Sequence, residues 1–358
     1  MTPIYQSSTF EYPAGDRELV YTRYGNNPTQ LALQARLAAL EGAEAALVLA
    51  SGMGALTTAI LTACAQGDHL VAARSLYGGT HRLLDVELPR LGIAVTYADG
   101  IEAEAWEAAI RPETKLLLWE AISNPLLRVP DTAALAALAR RRGLVSLVDA
   151  TFATPINLRP IDHGADLVMH SATKYLGGHS DLIGGVLAGS AERIKEANHR
   201  VHSFGASIDP HAAFLVDRGV KTLGVRMARH NENGRRVAEF LAGHGRVSRV
   251  HYPRLPDHPD QDVAARLLAG AGGVVTFVPD AGYEAACRLT ERFRWIRLAP
   301  SLGGVESLVS LPAQTSHRGL SREDREALGI PDATIRLALG IEAADDLVDD
   351  LSRALASL

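Results

Sequence analysis

The sequence predicts an α/β fold: a large domain around a mostly parallel sheet, then a smaller C-terminal α+β domain. Three observations carry this. Short Val- and Leu-rich runs alternate with Ala- and Leu-rich helical stretches from about Glu44 to about Gly189, the pattern of repeated βα units. After a long helical stretch the texture changes, and strands and helices recur without that alternation. The 358 residues allow two or three domains, each with ample interior.

In chain order, residues 1–43 are too short and polar to fold alone, and they are expected to contact a neighbouring subunit. A large α/β domain is expected over 44–210, with strands at Ala46–Leu49, His69–Ala72, Ala94–Tyr97, Leu116–Glu120, Val145–Asp149, Leu167–His170 and Leu182–Leu187. A helical connection follows over 211–245. The α+β domain, 246–358, has strand candidates at Val247–Tyr252, Val274–Val278, Trp295–Leu298, Leu308–Leu311 and Ile335–Leu339, with helices near Tyr283–Arg292 and Ala343–Ala356. No internal repeat or low-complexity tract interrupts the pattern.

Composition narrows the function. Hydrophobic residues are 47%, charged residues 22% and the net charge is −5, which excludes disorder and a generally basic nucleic-acid binder. Cys64 and Cys287 are far apart and form no ligand-spaced Cys/His cluster, so neither a disulfide scaffold nor a structural metal site is expected, and a reducing cytoplasm is. The start, Met1-Thr2-Pro3-Ile4-Tyr5-Gln6, lacks the basic-then-apolar run of a signal peptide. Ala45 to Gly67 carries no charge over a bilayer-spanning length, but Ser51-Gly52-Met53-Gly54 at its centre fits a buried strand, a turn and a buried helix. No membrane partner is expected.

Three expected strands end in a polar residue: Glu120, Asp149 and His170. Ligands in open α/β sheets bind outside the carboxyl ends of the strands, so all three are site candidates. Lys174 follows among small hydroxyl residues and glycines in Ser171-Ala172-Thr173-Lys174-Tyr175-Leu176-Gly177-Gly178, well placed for desolvation into a nucleophilic amine; the plainer alternative is a solvated loop lysine. Ser51-Gly52-Met53-Gly54, between a strand and a helix, is a candidate phosphate cradle. Thr57 stands where a dinucleotide fingerprint has its third glycine, and the Gly-Lys-Ser/Thr of a triphosphate loop is absent. Asp149 could cap a turn or hold a protonated ring nitrogen, and Tyr77 offers an aromatic face for stacking or for packing.

These residues, with Leu76-Tyr77-Gly78-Gly79-Thr80, Ser123-Asn124-Pro125, Val148-Asp149-Ala150-Thr151-Phe152, Arg218-Gly219-Val220-Lys221-Thr222-Leu223, Ser301-Leu302-Gly303-Gly304-Val305-Glu306 and Ile335-Arg336-Leu337, together resemble the Cys/Met-metabolism family of PLP enzymes. That group holds the cystathionine γ-synthases, cystathionine γ-lyases and methionine γ-lyases. The motifs occur in order over essentially the whole chain. The resemblance implies an aspartate aminotransferase-like PLP-dependent transferase fold (fold type I) with pyridoxal 5'-phosphate as cofactor. It implies Lys174 as the Schiff-base lysine, Asp149 as partner of the pyridine nitrogen and Tyr77 as the stacking residue. Gly52, Met53, Ser171 and Thr173 would hold the phosphate, reached also by Tyr21 and Arg23 from a neighbouring subunit of a dimer or tetramer. Arg336, assisted by Ser301 and Asn124, would clamp the substrate α-carboxylate.

Some positions depart from the family pattern. The Tyr24-Gly25-Asn26-Asn27-Pro28-Thr29 segment holds one extra residue, Ala150 and Ala338 replace a common Asn and Ser, and the usual N-terminal arm is shorter. Gly79 stands where methionine γ-lyases carry cysteine, and Pro300 where many γ-synthases and γ-lyases carry Glu. The resemblance therefore implies γ-elimination or γ-replacement on cystathionine or an activated homoserine, with methionine γ-lyase and O-acylhomoserine sulfhydrylase activities as runners-up. A catalytically silent PLP-binding protein and a nicotinamide oxidoreductase are the remaining alternatives. Lys174, Asp149 and Arg336 are all present, which disfavours the silent reading.

Overall fold

The computed structural model describes residues 2–11, 19–98 and 100–358; Met1, at which the start was read for signal character, and residues 12–18 of the expected N-terminal segment lie outside them. The chain builds a seven-stranded sheet from β1 (Ala45–Leu49), β2 (His69–Ala73), β3 (Ala94–Ala98), β4 (Thr114–Glu120), β5 (Val145–Asp149), β6 (Leu167–Ser171) and β7 (Gly185–Gly189), in the order β1-β7-β6-β5-β4-β2-β3. Strands β2 to β6 pair in parallel, and β7 runs antiparallel to both β1 and β6. Helices cover both faces, so β2 is buried along its whole length, as strands of a parallel sheet usually are.

A second sheet of β8 (Val247–His251), β9 (Val274–Pro279), β10 (Arg297–Leu298), β11 (Leu308–Ser310) and β12 (Ile335–Ala338) follows, in the order β10-β11-β12-β9-β8. All its pairings are antiparallel except β10 with β11. One apolar core runs through both parts, from Leu33 to Leu355.

Two expectations shift. The strand expected at Leu182–Leu187 is Gly185–Gly189, because its pairing with β1 and β6 starts only where Gly185 meets Leu49 and Ser171; Ile183 stays 64% exposed. The helical connection is two helices, Pro210–Val220 and Leu223–Ala242, separated at Lys221-Thr222. Asp209 caps the first through its side chain, with Pro210 at the first helical position. The uncharged window at Ala45–Gly67 resolves into β1 and α2 (Gly52–Ala63), and among the described residues no helix is long and apolar enough to cross a membrane.

Helix α1 (Pro28–Glu41) starts at a capping box of Asn27 and Gln30 and lays Leu33 and Leu37 against its own large domain, where Arg36 Nε also donates to Asp217 Oδ1 at 2.6 Å. Helix α1 thus packs into the core of its own chain.

The turn after β6, which carries Lys174, is fastened to both parts. Buried Arg226, on the helix Leu223–Ala242, donates Nη1 to Tyr175 O at 2.7 Å and Nη2 to Gly219 O at 2.8 Å. Tyr175 Oη accepts from Gly273 N at 3.1 Å, just before β9. Gly178 must approach this arginine with a left-handed backbone: its φ is +74°, and a Cβ there would lie 2.2 Å from Arg226 Nη1. Left-handed strain and overpacking together should make Gly178→Ala about 2–4 kcal/mol less stable, read as a lowered urea midpoint. A midpoint equal to wild type would show that Arg226 is not held there.

Candidate active site

The carboxyl ends of β1, β4, β5 and β6 open onto one cavity of about 610 Å³, walled on its far side by the second sheet. Its lining includes Gly52, Met53, Tyr77, Asn124, Asp149, Ser171, Thr173, Lys174, Ser301 and Arg336. Ten of the twelve residues to which the resemblance gives a role therefore meet in one place, joined by the strand end Glu120. Tyr21 and Arg23 do not: they lie beside the helix Ala191–Phe204, where the Arg23 guanidinium covers the Tyr24 ring at 4.9 Å and donates to His202 O.

At the end of β1, Ser51 caps α2 by accepting from Gly54 N at 3.0 Å, which leaves the earlier Gly52 and Met53 amides at the helix mouth. The dipole and those amides favour an anion there. Gly52 is needed for contact with the end of β6, since a Cβ would lie 2.8 Å from Ser171 Cβ. The Thr173 hydroxyl exchanges hydrogen bonds with Gly184 O at 3.3 Å and Gly184 N at 3.1 Å, so an anion at this spot would compete with Gly184 for it.

Two carboxylates end adjacent parallel strands in register, Glu120 on β4 and Asp149 on β5. Burial first, then the nearby Asp149 charge, pushes the Glu120 carboxyl well above the usual range. Burial also raises Asp149, while bonds from Thr151, including its N–H at 2.9 Å, pull the other way. Asp149 accepts a turn bond and still lines the cavity, so the turn role does not remove it from the site.

Lys174 Nζ donates to Ser301 Oγ at 2.9 Å, and burial, reinforced by the Arg336 cation, lowers its pKa to about 8. The solvated-lysine alternative does not hold. Arg336 on β12 is 5% exposed, donating Nη1 to Asn124 Oδ1 at 2.9 Å and Nη2 to Ser301 O at 3.1 Å. Its Nε is buried and has no partner among the described residues, nor does any ion pair there include it. A buried guanidinium left that way is a site for an incoming carboxylate. Tyr77 is not simply packed, being 45% exposed at the cavity wall just before α3 (Gly78–Arg82).

Sequence reading left other wall residues without roles. Glu120 was marked as a strand end but given no partner, although its place beside Asp149 was a usable signal. Pro300, a departure from the family's Glu, lines the cavity together with Ile183 and the Gln314-Thr315-Ser316 turn, to which no spacing rule points. His170 turns away from the cavity: side chains alternate along β6, so Met169 and Ser171 face it while His170 Nε2 lies 2.5 Å from Glu41 Oε1 in the core.

A helix mouth with anion-seeking amides, a buried carboxylate, an aromatic face and a depressed lysine fit a phosphorylated pyridine aldehyde. Residues 1–356 match the family described as Cys/Met metabolism PLP-dependent enzyme. Cystathionine gamma-lyase of Bacillus subtilis (strain 168) is 41% identical over 99% of this chain and 94% of its own. O-succinylhomoserine sulfhydrylase of Pseudomonas aeruginosa is 42% identical over 95% and 84%. The structure of cystathionine gamma-lyase from Lactobacillus plantarum, complexed with L-serine, superposes with a TM-score of 0.95 at 38% identity, covering 99% of this chain and 93% of that one.

A neutral amine is the nucleophile, so labelling of Lys174 in the cofactor-free protein by an aromatic aldehyde, trapped with borohydride and read by mass spectrometry, should rise through about pH 8 rather than through 10.5. Replacing Arg336 by Gln should move that midpoint upward, because one positive neighbour fewer favours the protonated amine. A wild-type midpoint near that of free lysine would contradict the burial argument.

Proposed function

The chain belongs to the Cys/Met-metabolism family of PLP-dependent enzymes and is an enzyme of the transsulfuration type, and from that premise we propose how its own residues divide the work. The observation that carries the reading is the convergence of Lys174, Asp149 and Arg336 on one cavity. The Gly52 and Met53 amides with the Ser171 and Thr173 hydroxyls would hold the cofactor phosphate, Tyr77 would stack on the ring, and Asp149 would pair with the ring nitrogen. Pyridoxal 5'-phosphate supplies there an electron sink for the charge left on the substrate α-carbon.

Arg336 takes the substrate α-carboxylate through its unspent N–H groups, with Asn124 and Ser301 O fixing the guanidinium plane. Lys174 Nζ removes the α-proton and delivers it further along the substrate, a role suited to an amine near neutrality. The Ser301 hydroxyl orients that amine between transfers. The outcome is loss of a γ-substituent, or its replacement by a thiol, on cystathionine or an activated homoserine. Homoserine-ester sulfhydrylation is kept as the second reading, because the relative that performs it on the succinyl ester is as similar as the γ-lyase.

The deciding experiment offers cystathionine, methionine, homocysteine and acylated homoserines to the enzyme and assays keto acid, ammonia and thiol. At least one should turn over, and Lys174→Ala should remove more than the ~10²–10⁴-fold of a lone general base, since two roles vanish together. Turnover by a cofactor-loaded Lys174→Ala protein would refute the assignment.

We also propose that Tyr21 and Arg23 serve the phosphate site of a neighbouring subunit, making a dimer the smallest working unit. Their absence from their own chain's cavity supports this. Under subunit exchange, inactive Lys174→Ala mixed with an Arg23→Ala variant first shown inactive should recover about a quarter of wild-type activity, because half of random dimers are mixed and each holds one intact site. Demonstrated exchange without recovery would refute shared sites.

A further inference from the structure

Glu120 lies where two loops meet. Its Oε1 accepts from Tyr77 N at 2.6 Å, in the loop after β2, and its Oε2 accepts from Asn124 N at 3.0 Å, in the loop after β4 itself. Asn124 Oδ1 in turn accepts from Arg336 Nη1, Arg336 Nη2 donates to Ser301 O, and Ser301 Oγ accepts from Lys174 Nζ. A relay of hydrogen-bonded residues thus runs from the aromatic wall to the amine, with Glu120 joining the two loops.

We propose that Glu120 is a positioning residue whose two oxygens set Tyr77 and the Asn124–Arg336 clamp as a single unit, so that the ring-covering face and the carboxylate site keep a fixed relation. The proposal rests on the roles assigned above to Tyr77 and Arg336. Burying a carboxyl beside Asp149 is costly, and an apolar residue would avoid that cost if filling space were all that mattered. The demand is for two acceptors at once. A carboxyl keeps a lone pair on each oxygen whether or not it is protonated, whereas a glutamine amide accepts at one end only. Glu120→Gln therefore preserves shape but leaves one loop N–H facing a donor.

The test titrates pyridoxal 5'-phosphate into cofactor-free Glu120→Gln, following the fluorescence of Trp119 in the same strand, and separately measures KM of the loaded enzyme for its best amino-acid substrate. Loss of one neutral hydrogen bond predicts cofactor binding weakened and KM raised, each about three- to tenfold, with the larger part of the kinetic loss in KM. In the Glu120→Gln/Arg336→Lys double variant the KM penalties should fall short of their product, because both act through one clamp. Both constants within about twofold of wild type, a change in only one, multiplying penalties, or a lowered unfolding midpoint alone would each overturn the proposal. Should Glu120→Gln fail to fold, Glu120→Asp, which keeps both acceptors but shortens their reach, is read by the same criteria. An unchanged KM in Arg336→Lys alone would fault the clamp itself, whereas a raised KM there beside an unaffected Glu120→Gln faults only the coupling.

Discussion

The site depends on keeping four buried or half-buried ionisable groups together without letting them neutralise one another. Glu120, Asp149, Lys174 and Arg336 all line one cavity, yet among the described residues none forms an ion pair. Each is held by neutral partners: backbone amides for Glu120 and Asp149, a hydroxyl for Lys174, an amide oxygen and a carbonyl for Arg336. Such an arrangement is costly in an apolar interior, and its cost is relieved when ligand charges arrive. The consequence appears in the titration of the cavity, where the acids rise and Lys174 and Arg336 fall, to about 8 and about 10. A lysine paired to an acid would instead stay protonated and be a poorer base.

Rigidity is what lets neutral partners hold charges apart. The three large-sheet strands β4, β5 and β6 are parallel neighbours, so their ends present Glu120, Asp149 and Ser171 side by side with spacing set by the backbone ladder. Arg336 comes from the centre of the other sheet, paired on both sides, with Ser310 and with Thr276. The two sheets are tied at the lysine turn through Tyr175, whose oxygens serve Gly273 and Arg226. The amine and the guanidinium therefore sit on separate frameworks fixed to each other beside the residues they serve.

Much of this was legible in the sequence because it follows from local pattern. The strand Val145–Asp149 was placed to the residue, and polar strand ends in a parallel sheet pointed to Glu120 and Asp149 without any motif. The same rule misplaced His170, because the period-two alternation that brings Ser171 to the cavity sends its neighbour to Glu41. The position of β7 was missed because its pairing partners, not its own hydrophobicity, choose where it starts. Chemical links between loops distant in sequence, such as Tyr77 to Glu120 or Lys174 to Ser301, leave no periodic trace, and only the folded chain reveals them.

On the proposed reading, the ionisable groups of the cavity serve steps that several outcomes share. Glu120, Asp149, Lys174 and Arg336 are the charged residues of the cavity wall, whereas Ile183, Pro300, Gln314, Thr315 and Ser316 line it without charge. Taking a proton from the α-carbon and holding the α-carboxylate are common to elimination and replacement, so those groups give no preference between them. The choice falls to whatever stabilises or excludes the leaving group and the incoming thiol. Relatives with lyase and sulfhydrylase names match this chain at nearly equal identity, so overall identity does not separate these outcomes either. On the proposed reading this uncharged wall would meet a substrate chiefly by shape, because Gln314 Nε2 donates to Tyr283 Oη, Thr315 Oγ1 to Leu311 O, and Ser316 Oγ pairs with His317 Nδ1.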